Sequence, residues 1–180
     1  MFVKKKDRSL RLCVDYIALK DVIKKDRHPL PRIGEALDSL HTAKYLTQLD
    51  IKEAYQIVRI MKEDQWKTTF TSKFGTYEYL VMPFGLCNAP ATFERGSNRT
   101  LQRFIDRCCI LYLDDFPIYS DELEQHTQDV RNIINSIYQS RMRLKPVKCE
   151  FHQTETEYLG LIVSQQGIML DPVKTRAIRT

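Results

Sequence analysis

Two adjacent carboxylates, Asp114 and Asp115, stand between the apolar runs Ile110-Leu-Tyr-Leu113 and Phe116-Pro-Ile-Tyr119. This arrangement restricts the fold more than any other stretch of the chain. Both runs have the length and composition of short strands, and Asp-Asp is good turn chemistry, so the segment reads as a hairpin with both acids at its tip. Neighbouring ionised carboxylates between buried strands raise each other's pKa and lose hydration. A divalent cation relieves both costs, and Mg2+ takes one or two carboxylates together with phosphate oxygens. Taken alone, the acids are equally consistent with a plain turn.

Adjacent residues of a strand point to opposite faces, so a cation site built on this pair needs an acid from elsewhere. Asp50 is the candidate, because it closes the apolar strand Tyr45–Leu49 as the pair closes its own. Asp50-x-x-Glu53 also has the spacing of a helix capping box. Spacing alone leaves both readings open.

The rest of the chain predicts an α+β fold, with helices packed on an antiparallel sheet. Strand-like alternation covers 10–16, 56–60, 67–71, 76–81 and 158–163, with Gly75 as a turn. Helical spacing covers 33–40, runs from the Asn88/Pro90 start signal to about Asp106, and covers 122–141 on a face of Leu123, Val130, Ile133, Ile134, Ile137 and Tyr138. Hydrophobic residues make up 43% of the 180-residue chain and charged residues 28%, the profile of a soluble domain or two small lobes. No stretch approaches the roughly 18 apolar residues of a membrane span, and MFVKKKDRSL lacks the apolar core of a secretory signal. The five cysteines (Cys13, Cys87, Cys108, Cys109, Cys149) are odd in number and lack Cys-x-x-Cys, which points to thiols in a reducing compartment. Cys149-x-x-His152 is half a zinc site without a second half. The net charge of +5 resides wholly in residues 1–28, where nine Lys/Arg face four Asp. Such a cluster either meets phosphate or is solvated surface.

In order, VKKKDRSLRLCVDY, HPLPRI, LTQLDIKEAYQIVRI, WKTTF, GTYEYLVMPFGLCNAPATF, YLDD and CEF…YLG resemble the reverse transcriptase domain of gypsy-type LTR retrotransposons. The resemblance spans nearly the whole chain. It implies the fingers and palm of a right-hand polymerase: fingers at 1–44 and 61–88, palm at 45–60 and 89–164, and at 165–180 the start of a connection to a thumb. The implied activity is RNA-directed DNA synthesis, a nucleotidyl transfer from dNTP to a primer 3′-hydroxyl with two Mg2+ ions, or Mn2+ in their place. Asp50, Asp114 and Asp115 fall on the three catalytic aspartates, with the Ile51 carbonyl as a further metal ligand. Lys5 and Arg11 fall on triphosphate contacts, a point charge and a bidentate fork respectively. Tyr55 falls on the aromatic that excludes a ribose 2′-hydroxyl, and Phe84, Gly85 and Leu113 on the dNTP pocket. Tyr112, Leu159 and Gly160 fall on primer contacts. Lys4, Lys6, Arg8, Lys24, Lys25 and Arg27 are left as template-backbone or solvated residues. The partners implied are an RNA or DNA template with its primer, dNTPs, and thumb and RNase H domains in a full-length polyprotein, with no membrane. The implied location is intracellular: cytoplasm or virus-like particles, with the nucleus open.

Several positions depart from the family pattern. Ile17 and Lys20 replace an Arg and an Asn, Phe116-Pro117 replaces two aliphatic residues after the acids, and Gly96-Ser97 replaces a bulky pair in a helix. Proline cannot donate to a ladder and glycine weakens a helix interior, so both changes predict a weakened palm. They motivate an alternative reading: a diverged, catalytically impaired nucleic-acid-binding remnant.

Overall fold

The computed structural model describes residues 2–4, 8, 10–26, 28–29, 31–113 and 115–170. In chain order its elements are β1 (Phe2–Lys4), β2 (Leu10–Leu12), α1 (Ile17–Val22), α2 (Ile33–Thr42), β3 (Tyr45–Asp50), β4 (Phe70–Ser72) and β5 (Gly75–Tyr77). They continue with α3 (Ala89–Leu101), β6 (Asp115–Ser120), α4 (Leu123–Gln139), β7 (Glu150–Gln153), β8 (Glu155–Tyr158), β9 (Leu161–Ser164) and β10 (Gly167–Leu170). Short 3₁₀ turns span Ala54–Ile57, Lys62–Thr68 and Pro146–Lys148. The paired strands are antiparallel, which gives the α+β class that the pattern predicts. The chain folds as two compact units, Met1–His28 with Glu53–Arg95, and Pro29–Lys52 with Gly96–Thr180.

The first unit is built from small ribbons and turns. β1 pairs β2, and β4 pairs β5. The strand expected over 10–16 stops at Leu12, and the one expected over 56–60 is a 3₁₀ turn followed by a single bridge from Arg59 to Val81. Of 67–71 only Phe70 onward is strand, because Thr68 and Thr69 turn their hydroxyls back to the carbonyls of Gln65 and Trp66 and so stabilise the turn instead. Of 76–81 only Thr76 and Tyr77 belong to a strand, Val81 making the single bridge to Arg59, and the β4–β5 turn is Lys73-Phe74, with Gly75 already in the ladder. Tyr16 is buried and donates its hydroxyl to the Thr68 carbonyl at 3.0 Å, and burial raises its pKa to about 12. Asn88 does not cap α3 with its side chain. It accepts the Asp26 N–H at 3.0 Å and donates to the Lys24 carbonyl at 2.9 Å, clamping that segment in place.

The second unit centres on β3, the middle strand of the sheet β6-β3-β7. Alternation sorts its side chains. Thr47 and Leu49, with their register neighbours Ile118 and Phe116, are all buried on the face that α4 covers. The α4 residues on that face are His126, Val130, Ile133 and Ile137, which follow helical spacing, whereas the expected face residues Leu123 and Tyr138 are exposed at the margin. His126 is fully buried between two hydroxyls, with Nε2 2.8 Å from Thr47 Oγ1 and Nδ1 3.2 Å from Ser120 Oγ. Thr47 Oγ1 also accepts the His152 N–H at 3.1 Å, and the Ser120 hydroxyl donates to the Tyr119 carbonyl at 2.6 Å, so a neutral imidazole that donates from Nδ1 and accepts at Nε2 satisfies both hydroxyls.

On the other face, Leu46 joins Ala36 and Leu40 of α2, Ala43, Ile110, Tyr158 and Val163 in one apolar cluster. The strand expected over 158–163 is broken at Leu159-Gly160, whose φ angles of 51° and 83° form a two-residue turn between β8 and β9. α3 ends at Leu101 rather than Asp106, where the Phe104 N–H folds back to the Leu101 carbonyl at 2.8 Å and Phe104 in turn accepts the N–H groups of Cys108 and Cys109. Gly96 lies exposed on α3, while Ser97 is buried.

Candidate active site

The acid at the end of β3 meets the acid at the start of β6. Asp50 and Asp115 are register partners across the antiparallel pair, so their side chains leave the sheet on one face, opposite α4. Gln48 shares that face two residues earlier and donates from Nε2 to Asp115 Oδ1 at 3.3 Å. The capping-box alternative for Asp50 fails, because the Ala54–Ile57 turn has no side-chain cap and Glu53 takes φ 54°.

Asp50 is strapped from a third direction by the turn before β7. The Lys145 N–H donates to the Asp50 carbonyl at 2.9 Å, the Asp50 N–H points at Cys149 Sγ at 3.5 Å, and Lys148 Nζ lies 3.2 Å from Asp50 Oδ2. The Lys148 and Asp50 side chains are 56% and 34% exposed, so the ion pair is water-screened and worth under about 1 kcal/mol.

A hairpin forms around the paired acids, but Asp115 is not at its tip as expected: it is the first residue of β6 and already pairs with Tyr112 and Asp50. Tyr112 and Asp115 exchange N–H···O bonds of 3.1 and 2.9 Å, the Ile110 N–H donates to the Pro117 carbonyl at 3.0 Å, and the Tyr119 N–H donates to Cys108 at 2.9 Å. Leu113 takes the left-handed conformation, φ 54°, which a two-residue turn of this kind demands. Asp114 lies outside the described residues. Pro117 removes one bond. In a strand the N–H and C=O of one residue point the same way, so the donor missing from Pro117 faces Ile110, not β3. The buried Ile110 carbonyl is reached instead by the Cys109 thiol at 3.5 Å.

The remaining expected site residues divide between the two units. In the first, Tyr55 packs edge-on against Phe84 (centroids 5.1 Å) and Phe93 (5.9 Å), forming an aromatic trio. Gly85 has φ +100°, and a Cβ there would come within 3.1 Å of the Val14 carbonyl oxygen, so the close backbone approach expected of it is made by Val14. Arg11 has its backbone opposite Val3 in the β1–β2 ribbon, and Lys5 lies outside the described residues. In the second unit, Ile51 is buried and bridges Leu144, Tyr112 and Leu113 lead into the hairpin turn, and Leu159 and Gly160 form the β8–β9 turn. Cys149 and His152 part company, since His152 Nε2 meets Thr127 Oγ1 at 3.2 Å and Cys149 backs Asp50.

Sequence reading passed over Gln48, Lys148, Cys149 and Phe93 as site residues. The i, i+2 spacing of Gln48 and Asp50 on one strand was the available signal for the first. The other three carried none, because Lys148 and Cys149 return to Asp50, and Phe93 to Tyr55, only in three dimensions. The donors at the acid pair are hard carboxylate oxygens, and a cationic ammonium already rests on one of them. That chemistry fits Mg2+ or Mn2+ rather than a soft metal.

Comparison with known proteins follows the same direction. Residues 3–163 match the family model described as "Reverse transcriptase (RNA-dependent DNA polymerase)". The chain is 38% identical over 168 residues to the retrovirus-related Pol polyprotein from transposon 297 of Drosophila melanogaster, covering 93% of this chain and 16% of that protein. It is 35% identical over 167 residues to the transposon Tf2-3 polyprotein of Schizosaccharomyces pombe, covering 93% and 12%. Among solved structures, the foamy viral protease-reverse transcriptase in complex with double-stranded DNA superposes at TM-score 0.91 with 21% identity, covering 99% of this chain and 31% of that one. The same viral protein with an RNA/DNA hybrid gives TM-score 0.88, covering 99% and 24%. At that identity the likeness shows the fold.

Proposed function

Since the chain belongs to the reverse transcriptase (RNA-dependent DNA polymerase) family, we propose that it is the polymerase domain of a retrotransposon polyprotein, extending a primer 3′-hydroxyl with dNTPs on an RNA or DNA template. The observation that carries the reading is the register pairing of Asp50 with Asp115 at one end of the sheet, on one face. The chain spans a small part of its curated relatives, 16% and 12% of the two above, so thumb and RNase H domains belong to the proposal for the whole polyprotein.

In this reading Asp50, Asp114 and Asp115, with the Ile51 carbonyl, hold two divalent cations, Mg2+ or Mn2+. When bound, these lower the pKa of the attacking hydroxyl and offset charge on the triphosphate and the leaving pyrophosphate. The chain's own residues supply orientation. Lys5 and Arg11 hold triphosphate oxygens, the Arg bidentately. Tyr55, braced by edge-on contacts with Phe84 and Phe93, presents a rigid ring that excludes a 2′-hydroxyl. Gly85 lets its backbone lie close to the Val14 carbonyl. Tyr112, Leu113, Leu159 and Gly160 seat the primer end. Fingers at 1–44 and 61–88 and palm at 45–60 and 89–164 are part of the same proposal, as is a reducing intracellular location, which the five cysteine thiols support.

Mg2+-dependent extension of oligo(dT) on poly(rA) tests this. The chain is expected to extend the primer, and Asp115→Asn to abolish extension while retaining template binding. Template binding without extension by the unmodified chain overturns the polymerase reading in favour of a non-catalytic remnant.

A further inference from the structure

Two buried polar atoms in the second unit have complementary needs, one on a side chain bonded to Asp115 and the other on a ring that senses the charge of Asp115. The Gln48 amide donates from Nε2 to Asp115 Oδ1 at 3.3 Å, while its Oε1 is buried with no partner. Tyr158 is fully buried, and its hydroxyl also has no partner. Orphaned polar atoms of this kind are uncommon in native interiors, because lost hydration is not replaced. One of these is an acceptor without a donor, and the other is a donor without an acceptor.

Topology puts them on the same side of the sheet. Leu46, Gln48 and Asp50 alternate onto one face of β3, and Leu46 shares its apolar cluster with Tyr158. The Tyr158 ring meets the Tyr112 ring edge-on, with centroids 6.4 Å apart at 78°, and the Tyr112 backbone is bonded in both directions to Asp115. Burial chiefly, then the charge of Asp115, push the Tyr158 pKa up, so the hydroxyl keeps its proton within electrostatic range of that carboxylate.

We propose that Tyr158 and Gln48 form a positioning pair for Asp115, in which the Tyr158 hydroxyl donates to Gln48 Oε1 through one buried water, and Gln48 Nε2 holds Asp115 Oδ1. The geometry has a clear purpose. An amide free to flip would turn its oxygen toward the carboxylate and repel it, whereas a donor at Oε1 locks the orientation that steadies Oδ1. The catalytic relevance of the pair rests on the function proposed above.

The experiment uses the full chain as Tyr158→Phe, Gln48→Met and the double variant, with Mn2+ dissociation constants and thermal unfolding measured on each. Either single change is expected to weaken Mn2+ binding by about tenfold or more, the usual effect of removing a partner of a metal ligand. The double variant is expected to bind no more weakly than the weaker single one. If Tyr158→Phe raises the unfolding midpoint and leaves Mn2+ affinity unchanged, the hydroxyl is only a burden on the core and the proposal is overturned. Asp50→Asn in the same titration separates this from the functional reading. Should it bind Mn2+ as the unmodified chain does, the cation site itself is wrong. Unfolding then decides the pair alone: non-additive midpoints uphold the Tyr158–Gln48 link, and additive ones sink it.

Discussion

Lys148 Nζ lies 3.2 Å from Asp50 Oδ2, so an ammonium from the Pro146–Lys148 turn rests on the outer oxygen of the carboxylate that faces Asp115 across the sheet. A cation entering there competes with a positive charge already in place.

Replacing Lys148 with Met removes that competitor. Mn2+ is expected to bind more tightly, by at most about fivefold, since a pair this exposed is worth about 1 kcal/mol or less. The gain should shrink as salt rises. A Mn2+ titration followed by electron paramagnetic resonance at low and high ionic strength checks both. Weaker binding in the variant would mean that Lys148 organises Asp50 rather than competing for it.

Pro117 deletes one donor from the hairpin that carries Asp115, and Pro117→Val restores an N–H aimed at the Ile110 carbonyl. The new bond stabilises by about 1 kcal/mol, but the unfolded chain regains freedom worth about 0.4–1 kcal/mol. The two nearly offset each other, so the unfolding midpoint should move by only a few degrees. The sharper readout is hydrogen exchange. The amide introduced at position 117 should be protected as strongly as that of Ile110, and rapid exchange there would show that the strand pair is open at this point.

The same substitution at two glycines should act with opposite sign. Gly96 sits in α3 at ordinary φ with open space around a would-be Cβ, so Gly96→Ala should stabilise by about 1 kcal/mol. Gly85→Ala must hold φ +100° and pushes a methyl to 3.1 Å from the Val14 oxygen, so it should destabilise by roughly 1–3 kcal/mol. Urea unfolding of both variants measures the contrast.

Burial, and then the nearby His152, lower the His126 pKa from 6.5 to about 4, against a smaller opposing effect of Asp129. The folded state therefore prefers the neutral ring, and its contribution is complete above the unfolded value near 6.5. It is lost as pH falls from there toward 4, by up to roughly 3 kcal/mol. The charged groups facing the ring are His152 of β7 and Asp129 of α4, with Tyr45 of β3 as an aromatic neighbour. Unfolding free energy measured between pH 7.5 and 4 should fall along this window. His126→Leu should be less stable at pH 7, because Thr47 and Ser120 lose a buried partner, yet its slope between pH 6.5 and 4 should be shallower. An unchanged slope would assign the acid lability to other groups.

Residues close together in the chain determined much of this protein. The acid pair between apolar runs specified a hairpin, and the hairpin is there. The apolar run 45–49 specified a strand ending at Asp50, and helical spacing located α2, most of α4 and the start of α3. These features depend on local turn chemistry and on side-chain period, which any one segment carries within itself. Tertiary structure decided the rest. The first residues of the alternating runs 56–60 and 67–71 became 3₁₀ turns because a strand needs a partner, and no period of 2 encodes one. Asn88, a fair cap by type, instead clamps Lys24 and Asp26, more than sixty residues away. Asp50 and Asp115 meet because β3 pairs β6 in one register, and a slip of one residue would turn the side chains of that strand to the opposite face. Lys148, Cys149 and Tyr158 reach the acids about a hundred residues after Asp50 and some forty after Asp115. Their place there follows from how the strands pair and from which buried groups lack partners, and neither is written in any single stretch of sequence.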